Sequence, residues 1–351
     1  MSQASSTSRP PARVRQSDVA RAAGVSQATV SVALTDPRSG TTRIPDHTRD
    51  RVRAIATELG YVVNPAARSL SGGRNRLLGV HTFEPAFPVD AHDFYQEFLV
   101  GIERGAESAG YDLLLSTSAT GPGRRRSVYA GGVNRLALAD GSILLGRKSD
   151  PGDLARLVAE SFPFVFIGRR EFPAAGVSFV TADYHRATTD VLQRLVALEH
   201  DRIAYVGREQ PLAPDLERRR AWEDFAPWLR AGRLFPSESG LTIRLARALL
   251  GEGFTAVVLE APEQGVSALT SCQHAGIDVP HDLSIAMLGN LPSVTDTSGI
   301  TGFRIPRQSM GMAAVELLID RLEHHPDAIR SVQLPCPLEQ GHTTTRPGGT
   351  R

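Results

Sequence analysis

Residues 14–34 read VRQSDVARAAGVSQATVSVAL, and the interpretation of the whole chain turns on this stretch. Small and apolar residues recur at Val19, Ala20 and Ala23 and again at Val30, Ala33 and Leu34, the spacing of two short amphipathic helices. Between them Gly24 can take positive φ at a helix C-terminus, Val25 can plug the interhelical angle, and Ser26 can cap the next helix through its hydroxyl. The pattern predicts a helix-turn-helix, although the segment alone also fits an ordinary αα-hairpin.

The flanking sequence favours the former. Residues 43–49, RIPDHTR, open a third helix in which Val52, Ile55 and Leu59 share a face, so three short helices can close around one small core, and Gly60 and Tyr61 end it. Residues 64–72, NPAARSLSG, have a proline near the start and glycine at the end, the punctuation of one further brief helix. With DVARAAGVSQATVSVAL, the TR and LGY that follow, NPAARSL and the strand-like LLGV, the chain resembles the lactose-repressor (LacI) family of bacterial transcription regulators. The resemblance implies base-edge contacts from Gln27, Ala28 and Val32, and phosphate-contacting hydroxyls on Ser26, Thr29 and Ser31. No arginine lies on that face. Gln27 can pair with adenine in bidentate fashion, whereas Ala28 and Val32 offer only methyl contacts suited to thymine. It further implies a hinge helix that folds in the minor groove, with Leu70 backed by Ala67 as the wedge between base steps and with Asn64 and Arg68 on the sugar-phosphate chain.

Charge is placed in keeping with this. Residues 1–76 hold 12 arginines and 5 acids, net +7, and residues 77–351 hold 27 basic against 33 acidic residues, net −6, which together make the overall +1. A basic head on an acidic body suits a protein that presents one end to a polyanion. The two cysteines, Cys272 and Cys336, are far apart and lack metal-ligand spacing, which argues against a disulfide framework. With no long apolar run and no apolar signal core in MSQASSTSRPPAR, a soluble cytoplasmic protein is expected.

From Leu77 the pattern becomes alternating. Apolar runs at 77–82, 111–116, 142–146, 164–167, 176–180, 203–206 and 256–259 are separated by helix-length segments that include 94–109, one before Asp140, 153–160, 185–198, 216–229 and 266–274. Unbroken Val/Ile/Leu runs of this length predict parallel strands buried on both faces, in βαβ units. The expected architecture is an N-terminal all-α helix-turn-helix domain (13–62) after a disordered tail (1–12), and a hinge helix and linker (63–76). A two-lobed α/β effector and dimerisation domain of the periplasmic-binding-protein type I kind (77–338), with parallel sheets, follows. Lobe one is expected at about 77–175 plus 305–325, lobe two at 176–304, and a disordered tail at 339–351. The two-lobed part of this layout is implied by similarity of FYQEFLVGIERGAESAGYDLLL, DGSILLG, LVALEHDRIAYVG, GIDVPHDLSI and IPRQSMGMAAVELLIDRLE to the same family.

The resemblance carries effector contacts over only in part. Phe94 and Tyr95 match an aromatic pair that can stack on a ring, Arg218 an arginine that grips polar ligand groups, and Asp183 the acid of a turn whose second residue is Tyr184 here. Three family carboxylates are replaced: Gly168, Ala261-Pro262 and Met287-Leu288-Gly289-Asn290 stand at those places, the last of them two residues later under another alignment, with no aspartate under either. Arg147, Arg169 and Arg170 lie near strand ends, so the expected effector is anionic or only partly sugar-like, or the cleft has lost its usual ligand. Other partners implied are a pseudo-palindromic operator duplex and a second copy of the chain, with no cofactor and no membrane. The competing class is an α/β enzyme with a DNA-binding appendage. Against it, Gly121-Pro122-Gly123-Arg124 lacks the third glycine of a dinucleotide loop, and neither GxSxG nor a phosphate-binding GxxxxGK[ST] occurs.

Overall fold

A computed structural model describes residues 14–34, 44–61, 75–85, 95–117, 126–146, 149–169, 176–290 and 299–348. The chain divides into two compact units, Met1–Asn75 and Arg76–Arg351.

In the first unit α1 (Gln16–Ala23), α2 (Gln27–Leu34) and α3 (Asp46–Glu58) enclose Val19, Ala20, Ala23, Val30, Ala33, Val52 and Ala56, with Val25, Leu34, Ile44 and Tyr61 packed at the margin. Side chains this small let three short helices approach closely enough to bury a core. The third helix departs from expectation in one respect. Ala56 fills the core, while Leu59 is the C-cap and is 37% exposed, because the helix ends there and the chain turns at Gly60 with φ +64°.

The second unit is two six-stranded sheets. The first runs β11-β5-β4-β3-β1-β2, with β1 (Leu77–Thr82), β2 (Asp112–Ser116), β3 (Gly141–Leu145), β4 (Phe164–Ile167), β5 (Ser178–Ala182) and β11 (Ser331–Leu334) all parallel. Its crossovers include α4 (Gln96–Ala109) and α5 (Pro151–Ala159). The second runs β12-β10-β9-β8-β6-β7: β6 (Arg202–Gly207), β7 (Ala231–Pro236), β8 (Ala256–Leu259), β9 (Ser284–Met287) and β10 (Thr301–Phe303) are parallel, and β12 (Leu338–Glu339) is antiparallel to β10. Its helices include α6 (Tyr184–Ala197), α7 (Ala213–Phe225), α8 (Ile243–Gly251) and α9 (Gly265–Ala275). Finally α10 (Arg307–Glu323) packs on α4 so closely that a Cβ on Gly101 would strike the Gln308 carbonyl and one on Gly311 the Phe98 carbonyl. Among the described residues no helix is long and apolar enough to cross a membrane.

Several expectations are corrected. The strand expected at 176–180 begins lobe two in the sequence reading, but β5 belongs to the first sheet: it pairs with β4 and β11, and the Gly168 amide donates to Val180 O. The crossing into lobe two therefore follows Ala182, and the chain returns to lobe one through α10 and β11 before crossing again to β12. The expected tail after 338 is ordered through residue 348. Thr343 donates through Oγ1 to Ile285 O, its carbonyl accepts from Ile285 N, and Thr345 O accepts from His200 Nε2 at 2.8 Å. Three consecutive threonines, Thr343 to Thr345, give this segment hydroxyl and backbone groups for a sheet margin that would otherwise be bare. Before Asp140 the described residues hold one 3-10 turn, Arg135–Leu138, in place of the expected helix, because Gly131 and Gly132 both take positive φ just upstream. β7 and α8 are not among the expected elements: β7 reads AGRLFP and is an edge strand with exposed positions, whereas α8, IRLARALLG after the N-cap Thr242, carries a clear amphipathic signal that the sequence reading passed over.

Two buried histidines make the body sensitive to acid. Burial, and secondarily the charge of Arg126, lowers His81 to about 4, and burial also lowers His200 despite its bond to Thr345 O. A depressed histidine is neutral when folded and protonates below about 6.5 when unfolded, so stability is full above that pH and falls as pH drops towards 4. Denaturant unfolding read through Trp222 and Trp228 is expected to show His81→Leu losing about 2 kcal/mol less than the parent between pH 7.5 and pH 5. Equal losses in both would contradict a neutral His81.

Candidate DNA interface and effector cleft

The geometry of the turn follows from its residues. Gly24 lies in the left-handed region at φ 64°, ψ 34°, and the Val25 amide donates to Ala20 O at 3.1 Å, closing α1. Ser26 Oγ accepts from the Thr29 amide at 3.1 Å and shares a 2.9 Å hydrogen bond with Thr29 Oγ1, so the start of α2 is capped as the sequence suggested. Gln16 Nε2 donates to Gln27 O and ties the N-terminus of α2 to that of α1. Val30 and Ala33 face the core, which turns the opposite side of α2 outward. Gln27 and Ala28 are exposed there, Ser31 and Val32 are half-buried, and Val32 is not among the residues packed into the head's core. Thr29 lies at the flank, its hydroxyl engaged by Ser26. Asn64, Ala67, Arg68 and Leu70 fall outside the described residues, as do Arg9, Arg13, Arg38, Arg43 and Arg74 of the basic head.

In the body, topology locates a second place. The chain passes from β1 outward to β2 and then back across to β3, and likewise from β6 to β7 and back to β8, so each sheet reverses direction beside its first strand. In open parallel sheets the crevice beyond the carboxyl ends at such a switch point receives ligands. The two crevices face each other. Arg169, after β4, donates to Glu217 of α7 at 3.0 Å, and Arg307 joins Glu97 of α4 (3.2 Å) to Asn290 beyond β9, donating to its carbonyl at 2.7 Å.

At the second switch point Glu260 is fully buried and receives donors from every side. Tyr205 Oη donates at 2.9 Å, Arg219 Nε at 2.6 Å and Nη2 at 3.1 Å, and the Arg208 amide at 2.8 Å. Burial beside this carboxylate pushes the Tyr205 hydroxyl well above its ordinary value, so it stays a donor. Next to it Asp215 accepts from Arg218 Nη1 at 2.8 Å and from the Leu212 amide at 2.9 Å, with Arg208 Nε at 3.4 Å; burial raises its pKa against the pull of Arg218. Arg218 is itself 4% exposed, its guanidinium 4.7 Å from the Tyr184 ring centroid and 5.9 Å from that of Phe303. At the first switch point Tyr95 is buried and donates its hydroxyl to Glu84, whose carboxylate lies against Gly146. Arg126 donates to Thr82 Oγ1 at 2.8 Å.

Of the residues matched from sequence, Arg218 stands in the cleft wall, held by Asp215 and two rings. Tyr95 stands at the opposite switch point with its ring in the core, and Asp183 is the N-cap of α6, its carboxylate accepting from the Arg186 amide at 3.0 Å. Phe94, Arg147 and Arg170 lie outside the described residues. Sequence reasoning passed over Glu260, Arg219, Asp215, Glu217 and Arg126. The available signal was Glu260 itself, a charge directly after the buried run AVVL. Among the described residues no group of His, Cys, Asp and Glu could hold a metal.

Residues 17–64 match the sequence profile described as bacterial regulatory proteins, lacI family. The head is of the lacI family. Residues 192–344 match the periplasmic binding protein-like domain. Relatives of the chain include the HTH-type transcriptional regulator CelR of Thermobifida fusca, 28% identical over 318 residues (87% of this chain, 90% of that protein). Another is the maltose regulon regulatory protein MalI of Escherichia coli K12, 25% identical over 92% of this chain and 96% of that protein. The named relatives are regulators of transcription. Among solved structures, a CelR–cellobiose complex is similar with a TM-score of 0.64 (23% identity, 94% of this chain, 100% of that one). A lac repressor dimer bound to operator and the anti-inducer ONPF gives 0.66 (22% identity, 95% and 100%). Both share the fold described above.

The exposed amide of Gln27 is the one group on the outer face of α2 that can discriminate by paired hydrogen bonds. Gln27→Ala is expected to lower preference at one base pair by about 1–3 kcal/mol, measured by anisotropy on a set of single-substituted duplexes. Equal loss on every duplex would contradict base reading.

Proposed function

We propose that this chain is a sequence-specific DNA-binding regulator of transcription, a repressor that works as a cytoplasmic homodimer and has no catalytic role. The observation that carries the reading is the capped, outward-facing N-terminal half of α2, with Gln27 and Ala28 exposed on a helix whose orientation is fixed by Gly24, Ser26 and Gln16. In helix-turn-helix docking that part of the second helix meets base edges in the major groove, and Ser26, Thr29 and Ser31 bring hydroxyls to phosphates. The hinge residues Asn64, Ala67, Arg68 and Leu70 complete the contact in the minor groove.

The body supplies the control. A small molecule enters between the two sets of strand ends, where Tyr95, Phe94, Arg218 and Asp183 are the residues matched to family contacts. CelR solved with cellobiose and the lac repressor solved with ONPF support a small-molecule effector, and the latter's dimeric complex with operator supports two-fold binding of DNA. A ligand that binds one arrangement of the lobes better than another shifts the population between them, and the same coupling free energy appears as a change in operator affinity. Such a coupling is typically worth about 1–3 kcal/mol.

Selection of bound duplexes from a random pool tests this reading. The expected result is a pseudo-palindrome with half-sites about one helical turn apart, lost when residues 1–76 are deleted. Recovery of a single asymmetric site, or enrichment that survives the deletion, would contradict it.

A further inference from the structure

Most acidic side chains at the two switch points are already engaged within the chain. Glu260 has Tyr205, Arg219 and the Arg208 amide, Asp215 has Arg218, Glu217 has Arg169, Glu263 has Arg208, and Glu84 has Tyr95. A carboxylate oxygen holding two donors has little capacity left for a ligand hydroxyl. Recognition of a neutral polyol through these acids would require giving up bonds they already make for new ones that are no stronger.

Arg126 is placed differently. It stands beside the carboxyl end of β1, at the first switch point, and its Nη1 donates to the hydroxyl of Thr82, the last residue of that strand. No carboxylate of the described residues lies within ion-pair distance of it. It is half-buried, and among the described residues no counter-charge stands against it, an arrangement that favours an anion supplied from outside. The nearby His81 does not supply it. Its ring is buried and neutral, neither nitrogen has a hydrogen-bond partner among the described residues, and the charge of Arg126 contributes to keeping it so.

We propose that Arg126, oriented by Thr82, binds the acidic group of the effector, a carboxylate or a phosphoryl group, at the end of β1. This rests on the reading of the body as a ligand sensor and specifies the class of ligand. Guanidinium is a planar fork of five N–H donors, of which Thr82 fixes one direction, leaving the others to meet two oxygens of an anion. Thr82 thus acts as a positioning residue for the contact.

The test uses the full chain, with thermal unfolding followed through tryptophan fluorescence in gluconate, glucose 6-phosphate or glucose at matched ionic strength. At least one acid is expected to raise Tm by roughly 2–4 °C or more at saturating concentration while glucose does not, and whichever acid does so identifies the group as carboxylate or phosphoryl. Arg126→Gln is expected to weaken that acid about tenfold or more. Thr82→Val, which keeps the charge and the side-chain shape, is expected to weaken it severalfold and serves if Arg126→Gln does not fold. The proposal is overturned if glucose alone stabilises the protein, if neither acid does, or if the acid's effect survives both substitutions. Operator binding by the same samples without ligand is read separately: its loss would count against the regulator, whereas operator binding with no acid effect would count against Arg126 alone.

Discussion

The carboxyl edge of a parallel sheet is the edge its own crossover helices leave uncovered, and the charged architecture of the body is a response to that constraint. At β8 the chain places a carboxylate, Glu260, where no water reaches it, and such a group is tolerated only with its lone pairs filled. Filling them brings together Tyr205 from β6, the Arg208 amide from the turn after β6, and Arg219 from α7, so one buried charge fixes how three successive pieces of lobe two meet. Gly207 is part of the same arrangement, since a Cβ there would lie 3.0 Å from both Glu260 oxygens. Links through Arg169 and Arg307 carry the pattern across to lobe one, and they make the space between the lobes a polar seam whose acids are engaged internally.

The head meets a smaller version of the problem. A helix of eight residues is marginal by itself, so α2 depends on Val30 and Ala33 packing against α1 and α3 and on the cap from Ser26. What remains outward is short and nearly uncharged. On the proposed function, direct readout from each half-site is expected to be modest, leaving much of the affinity to arginines outside α2 that can grip phosphates without reading sequence. A two-fold assembly recovers specificity by requiring two such weak readings at a fixed spacing.

Much of this was legible in the sequence, and the exceptions share a cause. Strands β1, β4 and β8 were readable to the residue because LLGVHT, FVFI and AVVL are apolar runs buried on both faces. The turn was readable because only glycine and a capping hydroxyl suit it. By contrast β7 is an edge strand that alternates poorly, and the ordered segment after 338 is held by threonine hydroxyls and backbone rather than by apolar burial, so hydropathy carries no trace of either. β5 was recognised as a strand but assigned to the wrong lobe, since periodicity reports burial and not partner. In the cleft, Arg218 could be matched by position, whereas the role of Glu260 depends on residues 41 and 55 positions away in sequence, Arg219 and Tyr205, which no local pattern brings together.

Competition binding at moderate salt tests the central claim most directly: full-length protein on a labelled duplex recovered by selection, challenged with the same duplex or with a shuffled one. If α2 reads base edges, the shuffled competitor is expected to be weaker by roughly a thousandfold or more. Equal competition by the two would contradict the account, because only phosphate attraction would then remain.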